Sequence, residues 1–139
     1  MASSECLRKL TLLSCMALLS AAPGLTEAAK YKAPAMDVLQ LPQFCWSQYM
    51  DNVKGPQYEI PSATCGWGMN HYCPALAELR SSQRTHNRAE KIGKLKVVRH
   101  EIEYTITAMK DFPSCPIRQH VENTRLQVNG MLNAYGVRP

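Results

Sequence analysis

The residues best suited to chemistry lie in the segment from Cys65 to Cys73, where two cysteines enclose His71. Thiolate and imidazole are good zinc ligands, and Cys45 would complete a set of four. The same residues could form a thiol site, in which a histidine activates a cysteine of low pKa. Both patterns are incomplete, because Cys-x-x-Cys spacing is absent and the side chains of His71 and Cys73 would point to different faces of a helix.

The beginning of the chain predicts export. Residues 1–28 have the pattern of a signal peptide, with Arg8 and Lys9 before an apolar run and Thr26-Glu27-Ala28 as the cleavage site. The run is too short to span a bilayer, and no later segment is apolar enough to do so. Leu12 to Cys15 resembles a lipoprotein cleavage box, but too few apolar residues precede it. We therefore expect a periplasmic or extracellular protein without a transmembrane segment.

Export favours disulfides over free thiols, and Cys45, Cys65, Cys73 and Cys115 allow three pairings. In an antiparallel helical array, Cys65 precedes the second predicted helix and Cys115 follows the third, so the two lie at one end. Cys45 and Cys73 lie within the first and second helices and can meet across that pair. We predict the disulfides Cys45–Cys73 and Cys65–Cys115, and we expect no catalytic residue, metal or cofactor.

The elements that position these cysteines are predicted to be helices. The four predicted helices cover residues 36–50, 66–82, 85–111 and 116–135. Pro42 interrupts the first, so its regular part starts near Leu41, and Pro74 either kinks the second or marks its first turn. The third has the clearest period, with apolar residues at spacings of three and four: Ile92, Leu95, Val98, Ile102, Ile106 and Met109. Asn87 is a candidate start for this helix, and Gly136 is a natural cap for the fourth. The fold class is all-α, a disulfide-stapled antiparallel array of four helices, with an extended arm at 29–40 and one domain at 41–139.

A second candidate site is basic. It consists of cations around the start of the third helix, which would contact an anionic ligand or surface: Arg80, Arg84, Arg88, Lys91 and Lys94. The net charge of +5 agrees with such a partner. A helix start that only faces water explains the cations equally. We expect no nucleic-acid binding, because no aromatic residues are interleaved with them.

The two tryptophans, Trp46 and Trp67, each lie close to a cysteine of the predicted disulfides. We predict that both pack in the core against the disulfides. An exposed tryptophan would instead indicate an anchor for a protein interface.

Two short motifs carry a resemblance to a known group. Leu41-Pro42-Gln43-Phe44-Cys45-Trp46, followed by Asn70-His71-Tyr72-Cys73-Pro74, resembles the N-terminal segment of exported bacterial tetratricopeptide-like proteins. The resemblance covers residues 41–135 and implies a helical interaction scaffold, with a tetratricopeptide-like hairpin in its second half and no catalytic residues. Cys65 and Cys115 depart from the pattern, and the sequence ends after one hairpin.

These features predict a secreted subunit for protein–protein interaction or self-assembly. A lone hairpin leaves one side of its last helix uncovered, so a second copy is expected to bind there head to tail. One alternative is a module that binds anions through the cluster at 80–99. Another is a small thiol or metal protein that uses Cys65, His71 and Cys73.

Overall fold

The structure is a computed structural model that describes residues 31–138. The predicted signal peptide lies outside these residues. Within the described part, no helix is both long enough and apolar enough to cross a membrane.

The described chain is helical. The short helices α1 (Ala35–Val38) and α2 (Ser62–Cys65) precede three long ones, α3 (Tyr72–Arg84), α4 (Arg88–Ala108) and α5 (Arg118–Ala134). Three 3-10 turns lie between the helices, at Gln43–Gln48, Pro56–Tyr58 and Trp67–His71. Residues 31–138 contain no β-strand, so the all-α, disulfide-stapled fold is confirmed.

The core lies where α4 packs against α3 on one side and α5 on the other. In the part of the core from α4 to α5, the fully buried apolar residues are Leu95, Val98, Ile102, Met109, Val121, Val128 and Leu132. Ile92 and Ile106, which belong to the period predicted for the third helix, are partly buried. Asn87 caps α4 by accepting a hydrogen bond from the backbone N–H of Glu90 at 3.0 Å. Gly136 follows α5 with a φ of 77°. Both predicted caps are confirmed.

Two disulfides join the short elements to the long helices. The inner disulfide, Cys45–Cys73, links the 3-10 turn Gln43–Gln48 to α3, with Cα atoms 5.5 Å apart. The outer disulfide, Cys65–Cys115, links α2 to the segment before α5, with Cα atoms 4.7 Å apart. The predicted pairing is confirmed.

The first half of the chain is less regular than predicted. The first helix is divided into α1 and a 3-10 turn, because Pro42 has an extended ψ of 142°. The second helix begins at Tyr72 rather than at Gly66, because Gly66 has a φ of 85° and an extended ψ, which no helix accepts.

The prediction of an extended arm at 29–40 is wrong for residues 35–38, which form helix α1. An ion pair holds this helix in place. The Asp37 carboxylate is buried and accepts two hydrogen bonds from the guanidinium of Arg84, at the end of α3. Burial of a carboxylate is favourable only with such a partner. This ion pair ties residues 35–38 to the helical array.

The expectation that the last helix leaves an apolar side uncovered is also wrong. The apolar face of α5 packs into the core, where Val121, Val128 and Leu132 are fully buried. Leu126 is the large apolar residue of α5 that stays exposed. A single exposed leucine is ordinary on a protein surface and does not call for a second copy.

Candidate functional site: an exposed tryptophan beside helix α4

Trp67 is the most exposed large apolar residue among residues 31–138, with 80% of its surface accessible. The prediction that it packs in the core is therefore wrong. Trp46 is half-buried: its indole N–H donates to the carbonyl of Leu41 at 3.1 Å, and its ring stacks on Tyr58 at 5.7 Å between centroids. The two tryptophan side chains thus lie in different environments, one in the solvent and one packed on its neighbours.

The backbone around Trp67 is held firmly although the side chain is free. Cys65, two residues earlier, is fully buried and joined to Cys115. Met69, two residues later, is also fully buried. The 3-10 turn Trp67–His71, called here the Trp67 turn, is therefore held on both sides of Trp67.

Glycine allows the Trp67 turn to lie directly on α4. A Cβ at Gly68 would come within 2.1 Å of the Ala108 Cβ, closer than real side chains approach. Gly66 has a positive φ and lies against the ring of Phe112. These glycines on either side of Trp67 allow its backbone to pack closely against α4 while the indole points outward.

The surface of α4 continues from Trp67 toward the helix start. Ala108, Tyr104, Glu101 and Val97 follow each other at spacings of three and four, so they share one face of the helix. Tyr104 is 50% exposed and Val97 is 53% exposed. We call this face, with Trp67, the Trp67 surface.

The carboxylate on this surface has a hydrogen-bond partner within the chain. His71 bonds through Nδ1 to the Glu101 carboxylate, and its ring lies 4.3 Å from the ring of Tyr104. His71 therefore contacts α4. The surface combines two exposed aromatic rings and an aliphatic side chain, which suits it to contact with another protein.

The residues proposed for metal or thiol chemistry do not form such a site. Cys65 and Cys73 belong to different disulfides, and His71 bonds to Glu101. Within residues 31–138, no three histidine, cysteine or acidic side chains are grouped as a metal ion would require.

The basic cluster is partly engaged within the chain. Arg84 forms the ion pair with Asp37, and its guanidinium holds the pKa of that carboxyl below its usual value. Lys94 donates to the hydroxyl of Ser81 at 2.6 Å and lies 3.6 Å from the carboxylate of Glu90.

The remaining cations face different surroundings. The guanidinium of Arg88 lies 5.5 Å from the ring centre of Tyr135, an ordinary cation–π contact. Arg80 lines a cleft between α3 and α5, and Lys91 is half-buried. The cluster is therefore not a single array of free cations.

The cleft beside Arg80 has a volume of about 540 Å³. Its apolar lining includes the buried side chains of Leu41, Leu76 and Leu79, and Gln83 and Gln127 add carboxamides. Nothing in the sequence indicated this cleft, because its lining comes from three distant segments.

A hydrogen-bonded group closes one side of this cleft. The hydroxyl of buried Tyr72 lies 2.7 Å from the Thr124 hydroxyl and bonds to Nδ1 of His120. Thr124 donates to the backbone carbonyl of His120 at 2.9 Å. Burial lowers the pKa of His120 and raises the pKa of Tyr72. The neutral forms of both side chains are favoured, and the group serves to join α3 to α5.

Comparison of the chain with protein-family models, curated proteins and solved structures finds no match.

Proposed function

We propose that this chain is an exported protein–protein interaction module in which Trp67 is the anchor that a partner protein covers. The observation that carries the proposal is the 80% exposure of this indole on a backbone segment held at both ends. Tryptophan is among the residues most enriched at the energetic centres of interfaces. Full burial of the indole by a partner would contribute about 3–4 kcal/mol before the costs of association.

The rigid backbone supports this role. A binding residue on a flexible loop must be ordered on association, and that ordering reduces affinity. The Trp67 turn is already fixed by the outer disulfide and by the contact of Gly68 with Ala108. Its indole meets a partner with little further ordering of the main chain.

The two alternatives receive less support. Anion binding would use Arg84 and Lys94, which already contact carboxylates within the chain. Thiol or metal chemistry would need free sulfur on Cys65 or Cys73, and both are in disulfides. Neither alternative explains why a tryptophan is kept in water.

The test is site-specific photocrosslinking in the compartment to which the chain is exported. A benzoylphenylalanine at position 67 should form a discrete covalent adduct with a partner. The matched control carries the same group at Leu126, which is 64% exposed and lies on α5. No adduct from position 67, or equal adducts from both positions, would contradict the proposal.

A further inference from the structure

We infer that the cleft beside Arg80 binds an amphipathic monocarboxylate, a small molecule with an apolar body and one carboxylate group. The cleft, called here the Arg80 cleft, lies between α3, α5 and residues 40–42. Its lining residues in the described chain include none of those that form the Trp67 surface, so this site is independent of the proposed interface. Its volume of about 540 Å³ lies within the roughly 300–1,000 Å³ of small-molecule sites.

The charge of the lining is complementary to an anion. Among residues 31–138, Arg80 is the only lining side chain with a full charge at neutral pH, and no aspartate or glutamate lines the cleft. Arg80 is near enough to Asp37 to lower the pKa of its carboxyl, but both oxygens of Asp37 accept hydrogen bonds from Arg84. Two arginines and one aspartate together keep one positive charge. Arg80 itself has no hydrogen bond or ion pair within the described chain, so its guanidinium is available to a ligand.

The polar rim adds hydrogen-bond donors on both sides of the cleft. Gln83 follows Arg80 on α3, and Asn123 and Gln127 lie four residues apart on one face of α5. The side-chain oxygen of Asn123 accepts a hydrogen bond from Gln119 at 2.9 Å, so its NH₂ group is the part left for a ligand. A carboxylate only accepts hydrogen bonds, and it pairs with a guanidinium through two parallel bonds. One positive charge among amide donors therefore suits a monocarboxylate better than a neutral molecule or a dianion.

The floor of the cleft is apolar and lies beside this charge. Leu41, Leu76 and Leu79 are buried side chains whose edges border the cleft. On α3, Leu76 lies one turn before Arg80, and Leu79 lies one turn before Gln83. The wall formed by α3 therefore changes from apolar to polar along the helix. A ligand with an apolar body and a charged end matches this change.

Contacts between distant segments hold the walls of the cleft in position. Residues 40–42 lie between two links to α3, the ion pair of Asp37 with Arg84 and the inner disulfide. On the other side, the hydroxyl of Tyr72 on α3 bonds to that of Thr124 on α5. A site whose walls are fixed before binding loses little affinity to the ordering of its own groups. The Arg80 cleft is therefore preorganised for a small ligand.

The experiment uses octanoate as the probe, titrated by isothermal calorimetry into the full exported chain with both disulfides formed. The expected result is saturable binding at one site per chain. Two further probes keep the apolar body and change the head group: 1-octanol has no charge, and octyltrimethylammonium has the opposite charge. Each should bind at least about tenfold more weakly, because each lacks the charge-assisted hydrogen bonds of the carboxylate.

The first variant removes the charge from the cleft. Arg80→Gln should raise the Kd for octanoate at least about tenfold and leave the Kd for 1-octanol unchanged. Because Arg80 has no hydrogen bond or ion pair within residues 31–138, this variant should still fold, which circular dichroism can check. The matched control is Arg88→Gln, which removes the same charge from a side chain that packs on Tyr135 outside the cleft. The control should change neither Kd.

The second variant fills the cleft without changing its charge. Gln127 is exposed on α5 and lines the cleft, so Gln127→Trp should abolish binding of both octanoate and 1-octanol. Leu126→Trp is the matched control, because Leu126 is the neighbouring exposed residue and does not line the cleft. It should leave the affinity for both probes unchanged.

Four results would overturn the inference. They are absence of saturable octanoate binding, equal affinity for all three probes, an octanoate Kd unchanged by Arg80→Gln, and loss of octanoate binding in Trp67→Ala. Equal affinity would show non-specific apolar binding, and dependence on Trp67 would place the ligand elsewhere. None of these results alters the crosslinking from position 67 that tests the proposed function, so the two proposals can fail separately.

Discussion

The substitution Gly68→Ala tests how the Trp67 turn is held against α4. The Cβ that it adds would lie 2.1 Å from the Ala108 Cβ. That distance is about 1.4 Å inside the ~3.5 Å separation at which two carbon atoms attract. The neighbour is a short, rigid alanine on a helix, so the turn itself must move outward.

The expected cost follows from this overlap. Overpacking of a tight contact destabilises by about 1–3 kcal/mol. Alanine also reduces the conformational entropy of the unfolded chain, which offsets about 0.4–1 kcal/mol of this cost. Gly68→Ala should therefore reduce the free energy of unfolding by about 1–2 kcal/mol, and the shift of the turn should weaken crosslinking from position 67.

The assay is a double-mutant cycle with Ala108→Gly, measured by denaturant unfolding with the disulfides intact. Ala108→Gly makes room for the new methyl group and alone should cost up to about 1 kcal/mol in helix propensity. The double variant should be more stable than the sum of the two changes predicts, by about 1–2 kcal/mol. A Gly68→Ala variant of unchanged stability, or strictly additive effects, would refute the contact of the turn with α4.

Three further predictions address the rest of the fold. Replacement of both cysteines of the outer disulfide by alanine should lower the free energy of unfolding by about 4 kcal/mol, and the same change at the inner disulfide should lower it by about 3.6 kcal/mol, because the two bonds close loops of 50 and 28 residues. Calorimetry of each variant should give this order, and a larger loss from the inner disulfide would contradict it. Burial lowers the pKa of His120 in the folded chain, so the stability contributed by the neutral imidazole is complete above pH 6.5 and falls as the pH drops from 6.5 toward the folded-state pKa. The free energy of unfolding of His120→Gln should depend less on pH in this range, and a pH dependence equal to that of the unchanged chain would contradict this prediction. Arg84→Gln leaves the buried carboxylate of Asp37 without its cation and should destabilise the chain, while Asp37→Asn in the same chain should recover part of the loss; hydrogen exchange of α1 would show its release.

The long helices could be predicted because apolar periodicity and capping residues within each segment identify it. The apolar period of α4 extends over several turns and agrees with the cap at Asn87. The pairing of the disulfides could also be predicted, since it depends only on the order of the helices and on their antiparallel packing. These features come from local pattern and simple topology.

The Trp67 turn could not be predicted, because its conformation depends on distant residues. The position of Trp67 beside a cysteine favoured burial. The closeness of Gly68 to Ala108, 40 residues later in the chain, keeps the indole outside. The bond of His71 to Glu101 likewise joins residues separated by 30 positions. Gly66 and Gly68 were a signal, since two glycines around a tryptophan indicate close backbone approach.

The location of the candidate interface follows from how the chain uses its apolar residues. A lone helical hairpin was expected to leave α5 uncovered, and self-assembly would then have joined copies head to tail. The structure buries the apolar face of α5 against α4 instead, so α5 offers no such surface. Trp67, the most exposed large apolar side chain of residues 31–138, lies instead on a turn that packs against α4, the helix between α3 and α5. The candidate interface is therefore at this turn and not on the last helix.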